Sequence, residues 1–195
     1  AVLSSVTKRL KFGLAGAILA DLALLGKVRL VGAHKLELVD ADPIGDTVLD
    51  KAIQIFQKTE QTRKVSYWLN CLVEESIAGR KRMMERLVLA GVLIQGAEEF
   101  TWVIPYAESP HPNATASYAI KSQLRELVLT NGEPAIDELA LLSMTKASKL
   151  LNMVFTKSER KAAKERIYTA LMNRVMKDPV AQTIHEIEVV LDILS

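Results

Sequence analysis

The chain has 195 residues, of which 49% are hydrophobic and 25% charged; this is the composition of a folded domain with one sizeable core rather than of a disordered chain. A net charge of +2 supplies no global field toward nucleic acid or membrane, so any anion binding must come from local clusters. One cysteine, Cys71, excludes an internal disulfide and a multi-cysteine zinc site, and suits a reducing cytoplasmic setting.

The first residues, AVLSSVTKRLKF, lack the apolar core and small-residue cleavage site of a signal peptide. Then comes GLAGAILADLALLG, Gly13 to Gly26, almost wholly apolar apart from Asp21. A spanning helix needs ~20 largely apolar residues, so this run is expected to be a closely packed core helix, with Gly26 as its left-handed terminator. Val28–Val31 and Leu36–Val39 flank Gly32-Ala33-His34-Lys35 as a short hairpin. After the loop from Asp40 to Asp46, Thr47 is the expected cap of a helix carrying Val48, Leu49, Ala52, Ile53 and Phe56. Helices are expected over 61–74, with Val65, Trp68, Leu69 and Leu72 on one side, and over 77–90, with Ser76 as cap and Gly91 as stop.

Val92-Leu93-Ile94 and Phe100 to Ile104 flank Gly96 as a second hairpin, followed by a loop with Pro105, Pro110 and Pro112. The sequon Asn113-Ala114-Thr115 reads as a surface loop. Four helices follow, over 117–129, 134–154, 158–176 and 179–194, punctuated by Asn131-Gly132 and Asp178-Pro179. No repeat, linker or low-complexity tract divides the chain, so the expectation is one mainly α domain over 1–195 with two short hairpins.

Catalytic chemistry finds little support. His34, His111 and His185 are scattered, and none stands beside a Ser or Cys in a nucleophile context. His185 and Glu188 share a helix face, but without a third ligand they make a poor metal site. Gly13-Leu14-Ala15-Gly16 lacks both the dinucleotide pattern and a preceding strand, so no cofactor is expected. Charge is more informative. Arg80, Lys81, Arg82 and Arg86 form one basic cluster, and Lys8, Arg9 and Lys11 another. Lys157, Arg160, Lys161 and Lys164 repeat along one helical face, read chiefly as a solvated surface. Phe100, Trp102 and Ile104 alternate onto one side of the second hairpin, either covering the core or forming an apolar wedge for a membrane or partner. A basic helix followed by an aromatic hairpin also describes a winged helix-turn-helix, against which stand the balanced charge and the long helical C-terminal half.

Several segments, in order, resemble the Golgi phosphoprotein 3 family. GLAGAILADLALLGKVRL is similar to that family's Gly-Leu-x-Gly helix leading into a basic strand. Pro43-Ile44-Gly45-Asp46 followed by Leu49-Asp50, then Trp68, then Arg82 to Leu93, then His111-Pro112, continue the likeness across nearly the whole chain. The resemblance implies a mostly helical, non-enzymatic protein, peripheral to membranes and Golgi-located in eukaryotes. It implies partners that are anionic phospholipid, phosphatidylinositol 4-phosphate above all, the cytoplasmic tails of membrane proteins, and further copies of itself. Its projecting hairpin would serve membrane contact or self-association, here through Phe100, Trp102 and Ile104. The four family pocket positions fall on Val6, Ala15, Ile77 and Arg80, so of these only Arg80 carries the family's basic side chain. The headgroup site is therefore expected at Arg80, Lys81 and Arg82 with Lys8, Arg9 and Lys11. The alternative is an oligomeric interaction scaffold of the same fold that has lost the lipid.

Overall fold

The computed structural model describes residues 2–59, 61–89, 114–130 and 132–195, and these form seven α-helices and a three-stranded antiparallel sheet. The mainly α expectation holds. Helix α1 (Val2–Leu24) extends well before the glycine-rich run. It ends as expected at Gly26, whose φ of 69° lets Gly26 N–H reach Ala23 O and Lys27 N–H reach Leu22 O, at 3.0 and 2.8 Å.

Strands β1 (Val28–Val31) and β2 (Lys35–Leu38) pair as the expected hairpin, with Val28 opposite Leu38 and Val31 opposite Lys35. Gly32 and His34 turn the chain at positive φ. Strand β3 (Arg63–Lys64), too short to register in a hydrophobic pattern, joins the free edge of β2.

Helix α2 (Thr47–Thr59) is capped one residue earlier than expected. Asp46 Oδ1 accepts from the Val48 and Leu49 amides at 2.9 and 3.2 Å, while Asp50 reaches back to the Ile44 and Gly45 amides. The two helices expected over 61–90 are one, α3 (Val65–Leu89). Ser76 does not cap anything. It is buried, and its hydroxyl donates to Val73 O at 2.7 Å inside a helix that runs through it.

Helix α4 spans Ala114–Leu129. The expected helix over 134–154 is shorter, α5 (Ile136–Ala147), because Ser148 turns its hydroxyl back to Met144 O and Lys149 takes a φ of 59°. A 3₁₀ turn at Leu151–Met153 leads to α6 (Arg160–Val175) and α7 (Pro179–Leu194), the last opened by Asp178 Oδ1 accepting from Val180 N–H. The second hairpin and its loop lie outside the described residues.

Helix α1 is the axis of the packing, touching α3, α5 and α7. Its small residues permit close approach: a methyl on Gly16 would stand 2.9 Å from Leu191 Cδ2 and 3.1 Å from Met144 Sδ. Leu19, Leu22, Leu69, Leu142, Ile184 and Ile187 close the interior around it. On its other flank Trp68 stacks on Phe56 with ring centroids 3.7 Å apart and donates Nε1–H to Arg63 O. Cys71 is half-buried because it lies beside the inward stripe of Trp68, Leu69 and Leu72.

Candidate functional site

The register of α1 against α3 decides where the basic residues meet. α1 ends at the base of the β1–β2 hairpin, whereas α3 begins at its tip, where Val65 N–H donates to His34 O at 2.9 Å. The tip folds back along the bundle and is fixed to α7: Leu30 N–H donates to Thr183 Oγ1, and His34 Nδ1 lies 2.5 Å from Glu186 Oε1. The two helices thus run antiparallel. Farther along, Ser76 Oγ also lies 3.2 Å from Lys11 O, which sets their level. Beyond that contact, Arg80 lies ~6 Å onward along α3 and Lys8 ~4.5 Å back along α1, from the helical rise alone.

Two clusters distant in sequence are brought to one end of the bundle. Lys8 is exposed, with Nζ 5.7 Å from the Phe12 ring centroid. Arg9 and Lys11 are half-buried, as is Arg80, while Arg82 is exposed. Arg9 Nε is buried without a hydrogen-bond partner among the described residues, a costly state for a guanidinium donor. Glu74 and Glu75 lie near the Ser76 level and Glu85 beyond it, so the end is basic but not free of acids. Gly79 brings α3 onto Val48 of α2, which backs this end from the third side. The side chain of Lys81, and Phe100, Trp102 and Ile104, lie outside the described residues.

Ala15, at a position where the resemblance places a headgroup-binding arginine, is wholly buried in the core. It offers nothing to a surface ligand.

The remaining sequence candidates are dispersed. His34 sits at the hairpin tip with Glu186. His185 Nδ1 stands 4.0 Å from Glu188 Oε2, but the other carboxylate oxygen of Glu188 is taken by Lys146, which turns the expected His–Glu pair into part of a buried ion pair. No group of three metal-ligating side chains occurs among the described residues. Electrostatic perturbation falls elsewhere too. Partial desolvation, then the Asp46 carboxylate, push the Asp21 pKa up, while Asp40 is held down chiefly by its hydrogen bond from Lys27.

A groove of about 940 Å³ between α6 and the α4–α5 connection was not foreseen. Glu133, Arg166, Thr169, Asn173 and Arg174 help to line it, and Arg174 donates to Pro134 O at 2.6 Å. It joins residues some forty positions apart through tertiary packing, so no local spacing announces it. Its charges are mixed, and none of the expected site residues lines it.

No helix of the described residues is long and apolar enough to cross a membrane. The model of the Golgi phosphoprotein 3 (GPP34) family matches residues 2–187, and the chain belongs to that family. The family is not known as one of enzymes.

Proposed function

We propose that this member of the Golgi phosphoprotein 3 family is a non-enzymatic peripheral membrane adaptor that docks on anionic phospholipid headgroups through the basic end formed by α1 and α3. The observation that carries the reading is the Ser76–Lys11 contact, which gathers Lys8, Arg9 and Lys11 with Arg80 and Arg82 at one level. Headgroup phosphates would accept from these cations. Lys81 would add charge, and Phe100, Trp102 and Ile104 would supply apolar contact with the bilayer or a second copy.

Co-sedimentation with phosphatidylcholine vesicles carrying phosphatidylserine, with and without phosphatidylinositol 4-phosphate, tests it. Binding to anionic vesicles that weakens with salt is the expected result. A preference for the inositol lipid at matched charge, lost in Arg80→Ala, would mark a specific phosphate site. Failure to bind any anionic vesicle refutes the reading.

Burial of Ala15 favours the second reading, an interaction scaffold of the same fold without phosphoinositide recognition. That reading predicts self-association in sedimentation equilibrium together with indifference to every vesicle.

A further inference from the structure

Four helix ends meet at the basic end. Gly13 faces Ser148 and Gly16 faces Met144, so α1 runs antiparallel to α5 and its first turns pass beyond the end of α5. Helix α7 ends there as well, with Ser195 Oγ donating to Ala147 O. Helix α6 runs the other way: Arg174, near its end, reaches Pro134 O just before α5, and Tyr168, at its middle, has its ring 5.5 Å from Lys146 Nζ in the last turn of α5. The first turn of α6 therefore also passes beyond the end of α5. At ~1.5 Å per residue, Lys8 and Arg80 lie on the order of 10 Å past the Lys146 layer, and Arg160 lies between roughly 3 Å past it, counted from the Arg174–Pro134 contact, and roughly 12 Å, counted from the Tyr168–Lys146 contact.

The chain leading into and opening α6 carries Lys157, Arg160, Lys161 and Lys164. Lys157, Lys161 and Lys164 are exposed, and none of the three has a side-chain partner among the described residues. Arg160 Nε is buried and unpartnered, as Arg9 Nε is in the other cluster. Glu159 is already engaged by Thr156 N–H and Arg125, which leaves Glu165 as the nearby unengaged acid. Cations at the start of a helix oppose its dipole, so folding gains nothing from them there.

α3 packs on α1, α1 on α5 and α7, and these two on α6. With interaxial steps of ~8–10 Å the two basic patches stand roughly 20–30 Å apart. That exceeds the screening length of ~8 Å at physiological salt, so each acts as its own contact.

We infer that the α6 face of Lys157, Arg160, Lys161 and Lys164 is a second, independent contact for the same anionic bilayer, so that the protein stands on two basic feet at one end of the bundle. The inference rests on the membrane reading above. A bilayer fits because it is a flat field of repeated negative charge that can meet two separated patches at one level, and each foot makes the other's contact intramolecular.

The test uses the full chain and phosphatidylcholine–phosphatidylserine vesicles. Lys161→Gln/Lys164→Gln should lower the partition coefficient by about twenty-fivefold, at about fivefold for each of the two lost charges. Lys35→Gln/Lys177→Gln, which removes the same charge from exposed positions away from this end, should change it by less than about twofold. Melting curves confirm that both variants fold. Equal partitioning of the α6 variant and the unaltered protein overturns the inference, as does an equal loss in the control. Loss in the α6 variant with retention in Arg80→Ala upholds this foot and overturns the Arg80 site instead. Duplex DNA binding of equal strength, lost in the same α6 variant, would give the face to nucleic acid and overturn the bilayer assignment.

Discussion

Lys146→Met should be among the most damaging single substitutions in the helical core. Lys146 on α5 pairs with Glu188 on α7, and their side chains are only 16% and 8% exposed. The Lys146 ammonium also lies 5.5 Å from the Tyr168 ring centroid. Methionine fills most of the lysine stem, so packing loss is small and the electrostatic loss dominates. Glu188 would keep its burial without its cation, and its second oxygen already has no hydrogen-bond partner among the described residues. Breaking a buried pair from one side costs ~3–5 kcal/mol, and the residual exposure of both groups lowers that to about 2–4 kcal/mol. For a chain of this size the melting temperature should fall by on the order of 10 °C. Thermal melting and urea titration at pH 7 measure it. Lys146→Met/Glu188→Leu should recover most of the loss, because the stranded charge is gone and an apolar pair takes its volume. A double variant as unstable as the single one, or a single variant within about 1 kcal/mol of the unaltered protein, would refute the reasoning.

Gly16→Ala sets overpacking of ~1–3 kcal/mol against a helix-propensity gain of ~1 kcal/mol. Because the methyl meets the movable ends of Leu191 and Met144, a net loss of about 1 kcal/mol is expected in urea titration, and a gain in stability would contradict the close helix contact. Asp21→Asn should stabilise the protein at pH 7. The folded pKa of Asp21 lies above its ordinary 3.8, so the ionised group disfavours the folded state above that range and is silent below pH 3.8. The gain in melting temperature should therefore vanish as pH falls below 3.8, and an equal gain there would refute the assignment.

The parts of this fold that follow from local chemistry were legible in the sequence. Gly26 ends α1 and Asp178-Pro179 opens α7 because each rests on the conformational habits of one or two residues. What was missed depends on partners far away. Ser76 has the look of a cap, but its burial against α1 makes it an interior residue of a continuous α3. Thr47 and Asp46 are both good caps by type, and only the backbone geometry selects Asp46. Strand β3, two residues long, exists only because β2 offers it an edge. The candidate site divides in the same way. Each basic cluster is visible as a run of lysines and arginines, whereas their shared end follows from the antiparallel pairing of α1 with α3 and the opposed run of α6 against α5. The Lys146–Glu188 pair was half visible: the helical spacing offered His185 as the partner of Glu188, and tertiary packing supplied Lys146.

Burial of Ala15 bears on what kind of recognition the basic end can offer. A stereospecific site for one phosphomonoester needs several donors converging in fixed geometry, with their side chains locked by packing. Of the four positions that the resemblance marks, Ala15 faces the core, Val6 and Ile77 carry no charge, and Arg80 alone brings a cation. Lys8 and Arg82, exposed on the surface, would provide charge density rather than a mould. On the proposed reading, the protein would rank headgroups by charge more than by phosphate position. Its affinity would fall steeply with salt, because contacts through exposed cations are screened in a way that a buried, bidentate arginine site is not. On the same reading, two separated feet would offset the absence of a converging pocket. Each would be individually weak, and a shared end of the bundle would let a flat anionic surface engage both at once.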